Sequence, residues 1–508
     1  MSTQQPIILT SKQSGKAEND CACAQDYRIL CGENLSNDDD CACSIAASHI
    51  STISSAATAL VMAPNLYRHE LHHQHEIVFN PFGISSLAVL NEPARQILDA
   101  FSKPQSIQEL HTHFPDYSSE KTSAVVSNLL QSGLLVSAAE RNKFSVKPSP
   151  DTLTAWLHIT NACNLRCDYC YIQKTPEKLE LDRGKQAVEA VFRSALANGF
   201  RQVKLKYAGG EPTLNFPLVL ELHRYARLCA HQAGIDLKGV VLSNGAAISE
   251  KMIDGLKECG LALSISLDGI DHVNDSQRKF ADGRGTFGHI EHSLERLAAR
   301  DLTPSITITI SNRNLQGLPK TIEYVLNHHL PFTINFYREN GWSTTFSDLA
   351  YTNERLIQAM KEAFSVIEAN LPHFSLLGCL TDRARLDYSH DQPCGVGNSY
   401  LVIDQNGKVA KCHMDIEKSV TSISAADPLK EILLSSTGIQ NLPVDEREGC
   451  RDCSWRYWCA GGCPALTYRI TGRYDVKSPN CDIYKALFPE VLRMEGLRLL
   501  KNAEEKIQ

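Results

Sequence analysis

The sequence predicts an α/β protein whose centre is six β-strands alternating with helices, behind a small α+β unit and ahead of a cysteine-rich region. Three observations predict this. Apolar runs recur between residues 156 and 336, each ending in polar residues or glycine, with helix-period stretches between them. That alternation is the pattern of a parallel sheet with right-handed crossovers. Residues 64–147 carry two strand-like runs and then three helical ones. Finally, ten of the 18 cysteines fall into two sets, three between Cys163 and Cys170 and seven between Cys394 and Cys481.

Taken in order, residues 1–63 are rich in Ser, Ala, Asn and Asp and show no sustained periodicity, so they read as an unstructured, flexible tail. They carry Cys21, Cys23, Cys31, Cys41 and Cys43, with Asp-Cys-Ala-Cys occurring at Asp20 and again at Asp40. Three readings stand for these cysteines: a tail without a fixed role, a metal- or cluster-binding extension, or a mimic of a cysteine-containing peptide. In 64–147, His75–Asn80 and Ser86–Asn91 read as strands joined by a turn at Asn80-Pro81-Phe82-Gly83. Helices follow at Pro93–Phe101, Ser106–Phe114 and Glu120–Ser132, and Gly133–Val136 closes as a short strand. The cluster of His69, His72, His73 and His75 reads as solvated loop or strand-edge positions.

Within 148–375 the strands are Trp156–Thr160, Val203–Ala208, Val240–Gly245, Leu263–Gly269, Ile306–Ile310 and Phe332–Phe336. Amphipathic stretches at Gly184–Leu196, Leu218–Gln232, Glu250–Glu258, Phe287–Ala299 and Leu318–His328 separate them. The cysteine-rich region occupies 376–485, and 486–508 reads as a terminal helix.

Cys163, Cys167 and Cys170, spaced CxxxCxxC, sit on the loop that leaves the first of these strands. Three soft thiolates suit an iron–sulfur cubane and leave its fourth iron open to a ligand; a zinc site is the alternative. The run Cys163-Asn164-Leu165-Arg166-Cys167-Asp168-Tyr169-Cys170, followed after the next strand by Gly209-Gly210-Glu211-Pro212, resembles the signature of the radical SAM (S-adenosylmethionine) superfamily. The resemblance implies a partial, six-stranded TIM-like barrel, a 4Fe-4S cluster on the three cysteines, and SAM bound to the open iron. It further implies SAM contacts from Tyr169, Gly209, Gly210, Glu211, Pro212, Ser243, Asn244, Ser266, Asp268 and Arg278, the last suited to a carboxylate.

The later cysteines, Cys394, Cys412, Cys450, Cys453, Cys459, Cys463 and Cys481, resemble the SPASM auxiliary-cluster module of peptide-modifying radical SAM enzymes. By that resemblance, Cys450, Cys453, Cys459 and Cys481 hold an outer 4Fe-4S cluster, and Cys394, Cys412 and Cys463 an inner one. The inner set is one ligand short. Cys379 recruited from upstream, or an iron left open for a substrate thiolate, would complete it, while Tyr400 stands near the place of an extra family cysteine. Cys229 and Cys259 lie in helical patterns and read as small buried hydrophobes.

Residues 64–147 resemble the PqqD-like peptide-recognition domain, a winged-helix-like module that takes a leader peptide as an added strand. Together the resemblances imply an enzyme that cleaves SAM to a 5′-deoxyadenosyl radical and oxidatively modifies a peptide, for example by a thioether or other crosslink. They also imply an electron donor such as flavodoxin or ferredoxin. A sulfatase-maturase-type enzyme making formylglycine is the alternative. That family places an acidic base after the cysteine matching Cys412, where this chain has His413, with Asp415 beyond it. A non-catalytic cluster-carrying electron-transfer or scaffold protein is the reading from another class, and an intact CxxxCxxC with Gly-Gly-Glu-Pro argues against it. The net charge of −7 argues against general nucleic-acid binding. No signal-like or membrane-spanning run is evident, which together with thiolate chemistry implies a reducing cytoplasm.

Overall fold

The computed structural model describes residues 6–10, 58–72, 74–83, 87–115, 117–141 and 150–505. The N-terminal cysteines from Cys21 to Cys43, and His73, lie outside them. The first unit runs β1 (Ile8–Thr10), β2 (Leu60–Met62), β3 (Tyr67–Leu71), β4 (His75–Phe79) and β5 (Ala88–Leu90). Helices α1 (Glu92–Ala100), α2 (Ile107–His113) and α3 (Ser119–Gln131) follow, and β6 (Leu135–Ser137) closes it. Local chemistry sets the helix starts. Asn91 caps α1 by accepting the Ala94 N–H, and Ser106 with Glu109 forms a reciprocal capping box on α2.

Two small sheets result, one in the order β1-β5-β4-β3 and one pairing β2 with β6. In the larger sheet the two faces part company. Val78, Ala88 and Leu90 pack with α1 and α3, whereas Ile77, Phe79 and Val89 join the core of the rest of the molecule. Strands β1 and β2 fall inside the stretch expected to be an unstructured tail. Strand β3 was not expected either, because Tyr67-Arg68-His69-Glu70-Leu71 is too polar to stand out. Arg68 is committed to an ion pair with Glu76 across the hairpin.

The central region alternates β7 (Thr152–Thr160), α4 (Leu181–Ala197), β8 (Gln202–Gly209), α5 (Phe216–Ala233), β9 (Asp236–Ser243) and α6 (Glu250–Cys259). It continues with β10 (Ala262–Ser266), the short α7 (His272–Asp275), α8 (Phe287–Ala298), β11 (Ser305–Ile310), α9 (Leu318–Asn327), β12 (Phe332–Phe336) and α10 (Asn353–Ala369). Neighbouring strands from β7 to β12 are all parallel. All nine residues of β7 are buried, as expected of a strand covered on both faces.

The C-terminal region adds β13 (Tyr400–Ile403), β14 (Lys408–Ala410), β15 (Ser419–Ser422), α11 (Pro428–Leu434), α12 (Arg456–Cys459), α13 (Pro464–Thr471) and α14 (Cys481–Glu505). It is not a separate layer. β13 pairs in parallel with β7, Tyr400 opposite Thr154 and Ile403 opposite Leu157, so one nine-stranded sheet runs β12-β11-β10-β9-β8-β7-β13-β14-β15. The terminal helix starts at Cys481, and so carries the last cysteine on its first turn. Among the described residues no helix is long and apolar enough to cross a membrane.

The N-terminal sheet docks on this C-terminal region through aromatics. Trp458 is fully buried, its ring centroid 4.6 Å from that of Phe79 and its indole N–H donating to Pro81 O at 2.6 Å. On α14, Gly496 admits Ile77, whose side-chain carbons would lie 2.7 Å from an added Cβ. Trp458→Ala should therefore cost about 3–5 kcal/mol, seen as a lower thermal midpoint, while Trp458→Phe keeps the packing and loses about 1 kcal/mol with its hydrogen bond. Equal midpoints for Trp458→Ala and the parent chain would show that the two units are not held here.

Candidate active site and thiol centres

Beyond Thr160 the chain leaves β7 and enters the first cysteine loop. Thr160 Oγ1 donates to Glu177 O at 2.9 Å and accepts the Ala162 N–H, which fixes the exit angle. The loop is pinned along its other side by Arg166 N–H to Lys279 O (2.8 Å), Asp168 N–H to Gln277 O (3.0 Å) and an ion pair between Asp168 and Arg313. Cys163, Cys167 and Cys170 are half-buried free thiols, close enough that ionising one opposes ionising the others. Burial pushes the Cys167 thiol up to about 12, against the pull of the Arg278 guanidinium. Lys174 Nζ lies 3.0 Å from Cys170 Sγ. Among the described residues no trio of His, Cys, Asp or Glu closes to the spacing of a single-ion site. Three cysteine thiolates on one loop are the donor set that an iron–sulfur cubane would take.

Strand β8 ends against the same loop. Gly209 has φ +143°, and a Cβ there would lie 2.4 Å from Thr160 O; one on Gly210 would lie 2.2 Å from Ala162 O. Gly210 N–H donates to Thr160 O at 2.6 Å and Glu211 N–H to Ala162 O at 2.9 Å. The missing Cβ atoms make room for the backbone of the cysteine loop. Pro212 is buried and opens the turn Pro212–Asn215.

The Glu211 carboxylate is also spent internally. Oε1 accepts from Thr213 N–H, from Thr213 Oγ1 at 2.6 Å and from Ser243 Oγ at 2.9 Å, while Oε2 accepts Asn244 N–H at 2.7 Å. Burial raises its pKa and these bonds oppose the rise. Glu211 thus ties the ends of β8 and β9 together. Asn244 reaches onward, donating to Asn164 Oδ1 at 2.8 Å with Cys163 Sγ 3.9 Å away.

Across the site, Asp268 beyond β10 is buried beneath the cysteine loop. Its Oδ2 accepts from Tyr169 Oη (2.6 Å) and Gln277 Nε2 (3.0 Å), and Oδ1 accepts Thr309 N–H (2.8 Å). Arg278 donates to Tyr169 Oη and faces Asp268 at 3.7 Å, and its Nε is buried with no hydrogen-bond partner. An unpaired buried guanidinium N–H marks a place for an acceptor such as a carboxylate. Ser266 ends β10, half-buried, in register with Thr307.

The later cysteines form two further groups. Cys394, Cys412 and Cys463 line one enclosed gap together with Arg338, Arg383, Tyr400 and His413. Burial raises the Cys412 thiol, whereas for Cys463 the same burial is overcome by Arg338 and Arg383 and its pKa is lowered. Cys450, Cys453, Cys459 and Cys481 form the other group: burial pushes Cys459 up to about 12 and Cys450 up to about 11, and their neighbours in the group add to both. Cys379 belongs to neither. It is buried with its thiol toward Leu376 O at 3.6 Å, beside Glu495 and Asp387, so it does not complete the inner set.

His413 stands between the first loop and the inner group. Its ring stacks on Trp156 of β7 at 4.7 Å, lies 5.7 Å from Tyr171 next to Cys170, and places Nδ1 3.1 Å from Tyr400 Oη. Burial, with Arg383, Lys206 and Arg338 nearby, holds its pKa well below the usual value and keeps the imidazole neutral. Asp415 faces Lys418 at 3.3 Å and is not part of the gap lining. A shallow acidic hollow lined by Asp271, His272, Asp275, Gly285 and Glu291 shares no residue with these centres.

Residues that the sequence did not reveal are chiefly cations. Lys174 joins the already expected Arg278 at the first thiols, and Arg338 and Arg383 face the inner ones. Fully buried Arg447, bonded to Gly461 O and Leu442 O, feels Cys450 and Cys459 on one side and Cys394 and Cys463 on the other. Cationic residues within cysteine-rich stretches are the one sequence signal that marks them.

Residues 157–325 match the model of the Radical SAM superfamily. The chain is 24% identical over 365 residues to an uncharacterized protein of Archaeoglobus fulgidus, covering 70% of this chain and 83% of that one. It is 26% identical to the AdoMet-dependent heme synthase of Methanosarcina barkeri (66% and 96%), and 22% identical to the cysteine-type anaerobic sulfatase-maturating enzyme of Clostridium perfringens (60% and 86%). The fold resembles the solved structure of native anSMEcpe with bound AdoMet and Cp18Cys peptide, with a TM-score of 0.54 and 18% identity over 70% of this chain and all of that one. Residues 157–325 thus carry a radical SAM domain, and members of that superfamily are enzymes that use SAM and a 4Fe-4S cluster.

Glu211→Gln tests the role of the β8–β9 tie. An amide puts an N–H donor where Asn244 N–H or the hydroxyls now donate, so the reconstituted variant should lose about 1–3 kcal/mol of stability and bind SAM at least about tenfold more weakly, by equilibrium dialysis. Unchanged SAM affinity would show that Glu211 has no part in shaping the site.

Proposed function

We propose that this enzyme is a peptide or protein maturase that oxidatively modifies its substrate, with one SAM-binding cluster and two auxiliary clusters. The observation that supports this most is the separation of ten thiols into groups of three, three and four, with His413 seated between the first two. When bound, the first cluster and SAM supply a 5′-deoxyadenosyl radical able to take a hydrogen atom from carbon. The chain's own residues do the rest. Cys163, Cys167 and Cys170 hold the first cluster and Lys174 offsets its thiolate charge. Glu211, Ser243 and Asn244 hold the strand ends around SAM, and Arg278 receives its carboxylate. Cys394, Cys412 and Cys463 would hold the inner cluster, and Cys450, Cys453, Cys459 and Cys481 the outer one. Burial, with Arg383, Lys206 and Arg338, opposes protonation of His413, so it serves as a neutral hydrogen-bonding group between the two thiol groups rather than as the base, while Asp415 stays paired with Lys418.

Thioether or carbon–carbon crosslinking and formylglycine formation share this electron count. The N-terminal sheet, braced against Trp458 and α14, favours a substrate recognised through a leader strand, so crosslinking in a ribosomally made peptide is the first reading. Formylglycine formation is the second, supported by the likeness to the sulfatase-maturating enzyme. A flavodoxin- or ferredoxin-type donor and a reducing, cytoplasmic setting complete the account.

In folded, reconstituted protein, Cys163, Cys167 and Cys170 all replaced by Ala should abolish 5′-deoxyadenosine production. Cys459→Ala should still make it, with deuterium exchange into the substrate carbon but no mature product, by liquid chromatography and mass spectrometry. Continued 5′-deoxyadenosine from the triple variant would remove the catalytic assignment. Wild-type maturation by Cys459→Ala would remove the oxidative role of the outer cluster.

A further inference from the structure

The strand-accepting edge of the N-terminal sheet is already taken, and its occupant comes from the same chain. β1 lies antiparallel on β5, with Ile8 opposite Leu90, Leu9 opposite Val89 and Thr10 opposite Ala88. The pairing is extended by Ile7, whose N–H donates to Asn91 Oδ1 at 2.8 Å and whose carbonyl accepts Asn91 N–H at 3.3 Å. Asn91 Oδ1 is the same atom that caps α1, so the start of that helix and the end of the edge share one side chain. α14 crosses the face of all four strands of this sheet, and Tyr67 on the other edge strand, β3, meets Trp455 in a tilted contact at 5.6 Å.

The two partners in the pairing differ in burial. Every residue of β5 is fully buried, whereas every residue of β1 is only partly so, and Ile7 is 42% exposed. The side chains of β1 alternate. Ile8 turns to the core shared with α1 and α3, and Leu9 to the core shared with α14. Removing β1 would leave a row of backbone donors and acceptors beside a buried apolar strand, the surface that pairs with any available extended chain. Such an edge is specified by an alternating apolar pattern rather than by one residue, so a different strand with that pattern can replace this one.

We infer that Ile7–Thr10 is a resident strand on the β5 edge, an autoinhibitory contact that an incoming extended peptide must displace. The partner is an extended peptide segment with apolar residues at the positions of Ile8 and Leu9. Only the identity of that partner as the substrate's recognition segment rests on the maturase reading; the edge and its occupant do not. Because β1 is tethered, it competes at an effective concentration on the order of millimolar. A free peptide therefore binds the intact chain much more weakly than a chain with an open edge.

The test uses a fluorescein-labelled peptide with the sequence of residues 1–15, measured by fluorescence anisotropy against the intact chain and against one lacking residues 1–10. The shortened chain should bind saturably and at least about tenfold more tightly than the intact one. A peptide carrying Leu9→Pro should bind neither. Full-length Leu9→Pro protein, which keeps its length while loosening the resident strand, should also bind the unmodified peptide more tightly than the parent. In the intact chain itself, amide hydrogen exchange at Val89 and Asn91, whose N–H groups face β1, should be faster than at Ile77–Val78 and should slow when the peptide is in excess. A folded shortened chain that does not bind, equal affinity of the shortened and intact chains, or exchange at Val89 and Asn91 that matches β4 and ignores the peptide would each overturn the proposal. None of these readings involves SAM cleavage, so their failure leaves the radical assignment untouched.

Discussion

The parallel pairing of β13 with β7 is the contact on which the rest of the site depends. β7 carries the first cysteine loop on its C-terminal end, and β13 leads through β14 into Cys412 and His413. Four matched residue pairs, Thr154 to Leu157 on one strand and Tyr400 to Ile403 on the other, therefore set how far apart the first and the inner thiols stand. Trp156, in the middle of that register, supplies the surface on which His413 stacks. A slip of one residue would turn Trp156 to the other face and take the imidazole's support with it.

Gathering ten thiols in a buried region creates an electrostatic problem, and the chain meets it with placed cations. Burial alone raises the pKa of most of these cysteines, which opposes the thiolates that metal binding requires. Arg278, Lys174, Arg338, Arg383 and Arg447 each face at least one of them. Cys463, pulled below its ordinary value by two of these arginines, shows that the compensation can win outright. Some of this positive charge is balanced before any thiolate forms, since Arg278 faces Asp268 and Arg338 pairs with buried Asp382.

Much of this was legible in the sequence, and the omissions have physical causes. Strands β7 to β12 announced themselves because each buries apolar residues, along the whole of β7 and at alternate positions in β11 and β12. β3 did not, since its outward residues are Arg68, His69 and Glu70. β1 and β2 did not because three-residue strands carry no period. Most of the side chains named as site residues do converge around the first loop, yet what several of them do there was hidden. The partners of Glu211 lie at residues 213, 243 and 244, and the crowding at Gly209 and Gly210 comes from residues 160 and 162; neither is visible in local composition. The merging of the C-terminal region into one nine-stranded sheet is a non-local pairing, which periodicity alone does not reveal.

The account's central claim is that the thiols divide into three separate metal centres. Iron and sulfide analysis with Mössbauer spectroscopy on anaerobically reconstituted protein tests it most directly. The intact chain should hold about twelve irons as 4Fe-4S clusters, and a folded variant with Cys394, Cys412 and Cys463 replaced by Ala should hold about eight. An intact chain that saturates at about four irons, or a variant that keeps all of them, would contradict it.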